Sequence, residues 1–170
     1  QLNLRQEIAM LSAIRDRYPD ALFLIAGDGP LIEEVRSLAE TPGIRDHVRI
    51  LGNRQDVNRI LKVSSVFVAL SPYENIWSLV LIEAMKMGVP CIVTRAGTTE
   101  RYLRHDADAI LIPPRDERTL AREIIRLLHD EALRTGLREK GRERMESDFS
   151  TDSIVNAYDR MIADLFMTGK

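Results

Sequence analysis

Glu83 lies in the middle of Ser78-Leu79-Val80-Leu81-Ile82-Glu83-Ala84-Met85-Lys86-Met87, a run that is apolar on nearly every side. A helix of that composition is predicted to be buried between a sheet and other elements. A carboxylate inside it must neutralise itself, pair with a cation or accept hydrogen bonds, because an unpaired buried charge is very costly. Lys86, three residues on, offers an intrahelical pair. The second reading is chemical: two carboxylate oxygens match two neighbouring hydroxyls of a ribose. Both readings stand at this point, and the loop before the helix, Ser71-Pro72-Tyr73-Glu74-Asn75, adds weight to the second. Free amides of the first turn, from Ile76 to Leu79, together with the helix dipole, suit a phosphate or diphosphate. A ribose acceptor one to two turns behind a phosphate cradle describes a nucleotide site.

Other reactive side chains read as structural. His47, His105 and His129 lie far apart without metal-ligand spacing, and no metal site is expected. Cys91 is the only cysteine and opens an apolar run, as a small core thiol does; a chain with one cysteine has no internal disulfide and suits a reducing compartment such as the cytoplasm. Ser71 is a turn or cap residue whose hydroxyl could reach a phosphate. Trp77 is either a wall of a sugar pocket or a packing residue. The net charge of −2 gives no overall positive field, so nucleic acid is not an expected partner. The arginines from Arg134 to Arg144 alternate with Glu139 and Glu143, which is the pattern of a solvated helix rather than a lipid-binding one.

These residues need elements to hold them. Ala21 to Ala26 is a short apolar run stopping at Gly27-Asp28-Gly29-Pro30, as a buried strand would. Similar runs at 48–51, 66–69, 91–93 and 109–112 predict five strands, separated by helices up to about residue 18, 31–40, 56–63, 78–87 and 100–104. Asp56 is predicted as an N-cap and Gly88 as a left-handed C-cap. Repeated strand-loop-helix units with short connections predict a parallel sheet covered by helices on both faces, a Rossmann-like three-layer α/β fold. From Asp116 three amphipathic helices follow, at about 117–129, 131–147 and 151–166, the first with a stripe of Leu120, Ile124 and Leu127 or Leu128. At 170 residues the chain is one domain, and no apolar run is long enough for a membrane span. In open parallel sheets the ligand crevice lies beyond the carboxyl ends of the strands, here the loops 27–30, 52–55, 71–78 and 94–99.

Five blocks in order, Ala26-Gly27-Asp28-Gly29-Pro30, Ile50-Leu51-Gly52, Val66 to Glu74, Glu83 to Pro90 and Ile112-Pro113-Pro114-Arg115-Asp116, resemble the C-terminal half of a group 1 (family GT4) glycosyltransferase of GT-B fold. The similarity runs from about residue 7 to about 165. It implies that residues 1–170 form a single domain binding a sugar nucleotide, and that the reaction is metal-independent glycosyl transfer with retention at the anomeric carbon. It puts Glu83 on the ribose and Glu74 near the hydroxyls of the donor sugar. Loop amides of Asn75, Ile76, Trp77, Ser78 and Leu79 would hold the diphosphate and sugar. The backbone near Asn53 and Arg54 would border the base, and Gly27, Asp28 and Gly29 would line the cleft floor. The spacing between Glu74 and Glu83 is one residue longer than usual in the family, and Asn75-Ile76-Trp77-Ser78 replaces its usual glycine pair.

The family's first strand, with its Gly-Arg and Lys loop, and its N-terminal acceptor domain have no counterpart in the chain, so the chain alone is expected to be inactive. The expected donor is a UDP- or GDP-sugar, with no cofactor besides it. The acceptor is a glycan or a lipid held by the N-terminal domain, which leaves room for peripheral membrane association at the inner face of the membrane, in polysaccharide biosynthesis. Two rivals remain: a non-catalytic module that keeps the fold for binding or assembly, and a sugar-nucleotide epimerase of the same architecture, against which the scarcity of His near the cleft speaks.

Overall fold

The computed structural model describes residues 11–70 and 79–167. Helical residues 11–15 (α1) precede β1 (Phe23–Ala26), α2 (Ile32–Ala39), β2 (Val48–Gly52), α3 (Val57–Val63), β3 (Phe67–Ala69), α4 (Leu79–Lys86), β4 (Cys91–Thr94), α5 (Thr99–Tyr102) and β5 (Ile110–Ile112). Three longer helices complete the described chain: α6 (Glu117–His129), α7 (Glu131–Asp148) and α8 (Thr151–Met167).

Alternation along the strands divides the core into two layers, because successive side chains leave a strand on opposite faces. In β4, Ile92 joins Leu11, Ile14, Leu120, Ile124 and Leu127 on one face, while Cys91 and Val93 join Leu61, Leu81, Ala84, Met85 and Met145 on the other. In β5, Ile110 and Ile112 go with the first set and Leu111 with the second. Helices α1 and α6 therefore cover one side, and α3, α4 and part of α7 the other, which is the three-layer α/β arrangement.

Among the described residues every strand pair is parallel, but the five strands form two sheets, β1-β2 and β3-β4-β5, rather than one continuous ladder. The same core holds both: Phe23, Ile25, Val48 and Ile50 pack with Val66, Val68, Ile92 and Ile110. A doubly wound sheet runs in the order 3-2-1-4-5-6. Set against it, β2-β1 and β3-β4-β5 match the 3-2 and 4-5-6 portions, and among the described residues no strand joins β1 to β3. Both of those strands are only half-buried, whereas β4 and β5 are fully buried.

Helix ends follow their local chemistry. Asp116 accepts the Thr119 amide (2.9 Å) and opens α6, and Asp130 accepts the Leu133 amide (2.9 Å) and opens α7. At the end of α4 the Gly88 amide donates to the Met85 carbonyl and the Val89 amide to the Ala84 carbonyl, both at 2.9 Å, with Gly88 at φ +70°. This is the two-bond left-handed cap that glycine favours. Asp56 stands at the predicted N-cap position of α3 but makes no side-chain cap bond. Its carboxylate takes two hydrogen bonds from Arg54 instead, at 2.8 Å each.

Candidate functional site

Helix α4 packs through Leu81, Ala84 and Met85, three residues at helical spacing whose stripe meets Cys91, Val93 and Met145. One stripe suffices to bury the helix, so the opposite side is left to solvent, and it carries Leu79, Glu83 and Lys86. Glu83 is therefore exposed, not enclosed as an all-round apolar sequence predicts. The intrahelical pair is not formed either: Lys86 Nζ donates to the Phe149 carbonyl (3.0 Å), the C-cap of α7, where a cation satisfies a helix-terminal carbonyl. Among the described residues, the Glu83 carboxylate has neither a hydrogen-bond nor an ion-pair partner. Leu79, one turn earlier on the same side, is 76% exposed. Ser71, Glu74, Asn75, Ile76, Trp77 and Ser78 lie outside the described residues.

A second group of expected site residues is brought together at the carboxyl ends of β1 and β2. The Gly27 amide donates to the Gly52 carbonyl (2.8 Å), and the register slips by one residue beside it. Such a bulge at the end of a ladder re-aims the chain that leaves it. Gly27 sits at φ +145° and Gly52 at φ +65°, backbone that side chains rarely adopt. A Cβ added at Gly27 or Gly29 would meet nothing within 4 Å, so this turn presents bare backbone to open space. Asp28 is exposed, and its Oδ1 accepts the Gly29 amide at 2.8 Å.

Asn53 and Arg54 are exposed on the neighbouring loop. The Asp56 hydrogen bonds and charge hold the Arg54 guanidinium above its ordinary pKa, and the Arg54 hydrogen bonds hold Asp56 below the usual carboxylate range. This pairing was missed by reading Asp56 as a cap. The Arg-x-Asp spacing was its only signal.

The loop after β4 is pinned by a residue that sequence reasoning also passed over. Thr99 is buried, and its hydroxyl lies 2.6 Å from the Ala96 carbonyl and 3.2 Å from that of Thr94. Arg95, exposed on the same loop, pairs with Glu100 at 3.2 Å. Other polar candidates are structural: His47 Nδ1 lies 3.1 Å from the Ala21 carbonyl, and His105 Nδ1 accepts the Leu111 amide at 3.0 Å. Cys91 is buried and burial pushes its thiol pKa up, away from nucleophilic thiolate. Among the described residues no group of three or more His, Cys, Asp or Glu is placed to hold a metal, and no helix is long and apolar enough to cross a membrane.

The sequence profile of the family described as glycosyl transferases group 1 matches residues 3–144. The N-acetyl-alpha-D-glucosaminyl L-malate synthase of Bacillus anthracis is 34% identical over 151 residues, 89% of this chain and 39% of that protein. The crystal structure of Anabaena Alr3699/HepE in complex with UDP and glucose superposes with a TM-score of 0.81 at 17% identity, over 95% of this chain and 44% of that one. Sucrose-phosphate synthase from Thermosynechococcus elongatus superposes at 0.80 with 26% identity, over 99% of this chain and 44% of that one. The chain thus spans about two fifths of the length of these three proteins. With the family's profile over most of the chain and its fold in three dimensions, the chain belongs to the group 1 glycosyltransferases and has the architecture of their C-terminal domain.

Proposed function

We propose that this domain binds the donor of a retaining glycosyltransferase, a UDP- or GDP-sugar, and that Glu83 accepts hydrogen bonds from the two ribose hydroxyls. The observation that carries the reading is the Glu83 carboxylate itself, exposed on an otherwise packed helix and unpartnered among the described residues while the nearby Lys86 is engaged elsewhere. A carboxylate with free lone pairs can accept two hydroxyl donors. On this reading Glu74 meets the donor sugar and the amides of Asn75 to Leu79 meet the diphosphate. The glycine turn at Gly27–Gly29 forms the cleft floor, and Asn53 and Arg54 border the base.

The donor class is supported by the UDP and glucose in the Anabaena structure, a protein of similar fold. Catalysis rests on stabilising the departing nucleoside diphosphate with preorganised amides, the charge-directed assistance that contributes most in enzymes of this kind. It needs no cofactor besides the donor. The remaining parts belong to a longer polypeptide: a strand between β1 and β3, cations on the loop that follows it, and the domain that holds the glycan or lipid acceptor. The 170 residues alone bind donor without turning it over, in the cytoplasm or at the inner face of the membrane.

Titration of UDP and of GDP into the full-length protein, followed calorimetrically, tests the reading. One of the two binds in the micromolar to millimolar range, and Glu83→Gln weakens it about tenfold or more, the loss of charge-assisted hydrogen bonds. Absence of binding to either nucleotide at millimolar concentration would mean a module kept for assembly.

A further inference from the structure

Arg54 and Asp56 form an ion pair that ties no two distant elements together. Arg126, by contrast, links α6 to Asp106, twenty residues earlier in the chain. Arg54 and Asp56 stand two residues apart, and their side chains are 44% and 35% exposed. An exposed pair of this kind adds little to stability. It also engages the carboxylate that stands at the N-cap position of α3 and makes no cap bond there. The arrangement gives up local stability and gains one thing, a guanidinium held in a fixed orientation.

That guanidinium commits Nε and one N–H of Nη2 to the carboxylate, at 2.8 Å each. The two N–H groups that run parallel along its far edge, one on Nη1 and one on Nη2, have no acceptor among the described residues. The loop leaves β2 beside the bare glycine turn, where the Gly27 amide donates to the Gly52 carbonyl (2.8 Å). An edge made only of donors suits an oxygen acceptor. An amino group, which presents hydrogens of its own, leaves those donors unpaired.

We propose that Asp56 is a positioning residue that fixes Arg54, and that the free edge of Arg54 donates to a carbonyl oxygen of the donor's nucleobase, selecting an oxo base over its amino counterpart. Uracil is thereby preferred to cytosine, and guanine to adenine. This rests on the donor reading above, in which the base lies at this loop. With the ribose on Glu83, whose helix covers the other sheet, the end of the base farthest from the ribose is the one that reaches Arg54. That end carries O4 of uracil or O6 of guanine, both acceptors, where cytosine and adenine carry amino donors.

Calorimetric titration of the full-length protein with UDP, CDP, GDP and ADP tests the proposal. The preferred oxo nucleotide is expected to bind about tenfold or more tightly than its amino counterpart, CDP for UDP or ADP for GDP. Arg54→Ala is expected to bring that ratio within about threefold of unity. Asp56→Asn keeps a capping side chain for α3, and is expected to lower the ratio about threefold or more. A purely structural role for Asp56 would leave the ratio unmoved. Equal binding of oxo and amino nucleotides by the parent would overturn the proposal, as would a parent-like ratio in either variant. An Arg54→Ala variant that weakens both nucleotides alike would also overturn it, and would assign the guanidinium to the phosphates. Any of these results with binding still weakened by Glu83→Gln would refute the base contact and leave the donor reading standing. A parent that binds none of the four nucleotides would refute both.

Discussion

At the scale of single residues, Glu83, unpartnered among the described residues, and Lys86, engaged by the Phe149 carbonyl, allow the proposed function to be separated from stability. Glu83 has no partner among the described residues and is exposed, so Glu83→Gln is expected to change the unfolding free energy by less than about 0.5 kcal/mol. A denaturant titration of parent and variant checks this, and a larger loss would mean that the acid is structural. Asp108 is the opposite case. Burial alone would raise its pKa, but hydrogen bonds from the Arg104 amide (3.0 Å), Nε (3.0 Å) and Nη2 (2.8 Å) outweigh that and hold it below the usual carboxylate range. Asp106, bound by Arg126, and Asp116, bound by Thr119, are held low as well.

A carboxylate whose folded pKa is depressed contributes stability above its unfolded value near 4, and loses it as pH falls through the folded value. The melting temperature should therefore stay level from pH 7 to about pH 5 and fall below about pH 4, with a shallower acid fall in Asp108→Asn. That variant should also cost about 1–3 kcal/mol at neutral pH, since the exposed Arg104 guanidinium rehydrates while the Arg104 amide loses its charged acceptor. A neutral-pH stability equal to the parent's would contradict the assignment. Cys91 is expected to resist thiol reagents until the protein unfolds. Residue types suggested a role for Glu83 but did not show its exposure. In a helix apolar all round, the buried side is chosen by whichever stripe meets a neighbour, here Met145 of α7, about sixty residues away along the chain.

At the scale of elements, ends and stripes were legible because they depend on local chemistry. The stripe Leu120, Ile124, Leu127 is buried as its spacing requires, the boundaries of α6, α7 and α8 fall within a residue of those expected, and Gly88 has the left-handed backbone expected of it. Leu127→Ala should cost about 2–5 kcal/mol in a denaturant titration, the usual range for a leucine truncated in a closed core. Gly88→Ala forces an L-residue into φ +70° and puts a Cβ 2.5 Å from Arg142 Nη2, a mobile side-chain end that can move aside. The backbone term then dominates, about 1–2 kcal/mol and about 2–8 °C in melting temperature. Asp56 was less legible. Cap preference and pairing with Arg54 compete for one carboxylate, and two charge-assisted bonds prevail over one amide bond.

At the scale of the whole molecule, repeated βα units made the layered α/β class readable, since short continuous apolar runs and period-3.6 patterns alternate along the chain. The periodicity alone did not show that, among the described residues, the strands fall into two sheets, because strand existence is local and strand adjacency is not; the resemblance, which finds no counterpart of the family's first strand, did point to a gap. Phe23 and Val68 look like central-strand residues in sequence, yet both are only partly buried against the shared core, and among the described residues β1 and β3 share no ladder. The residues of the proposed site follow the same division: the Gly27 and Arg54 loops belong to one sheet, and α4 with Glu83 covers the other. A ligand long enough to reach both, a base and ribose joined through a diphosphate to a sugar, is the kind that a switch point of an open sheet accommodates.

The measurement that tests the central claim most directly is a cycle of two substitutions, one on each side of the proposed contact. The affinity of the full-length protein for its preferred nucleoside diphosphate is compared with that for the 2′,3′-dideoxy analogue, in the parent and in Glu83→Gln. If Glu83 grips the ribose, either change alone weakens binding about tenfold or more and the second adds little to the first. Two losses that simply multiply, or a Glu83→Gln variant that binds both ligands like the parent, would contradict the account.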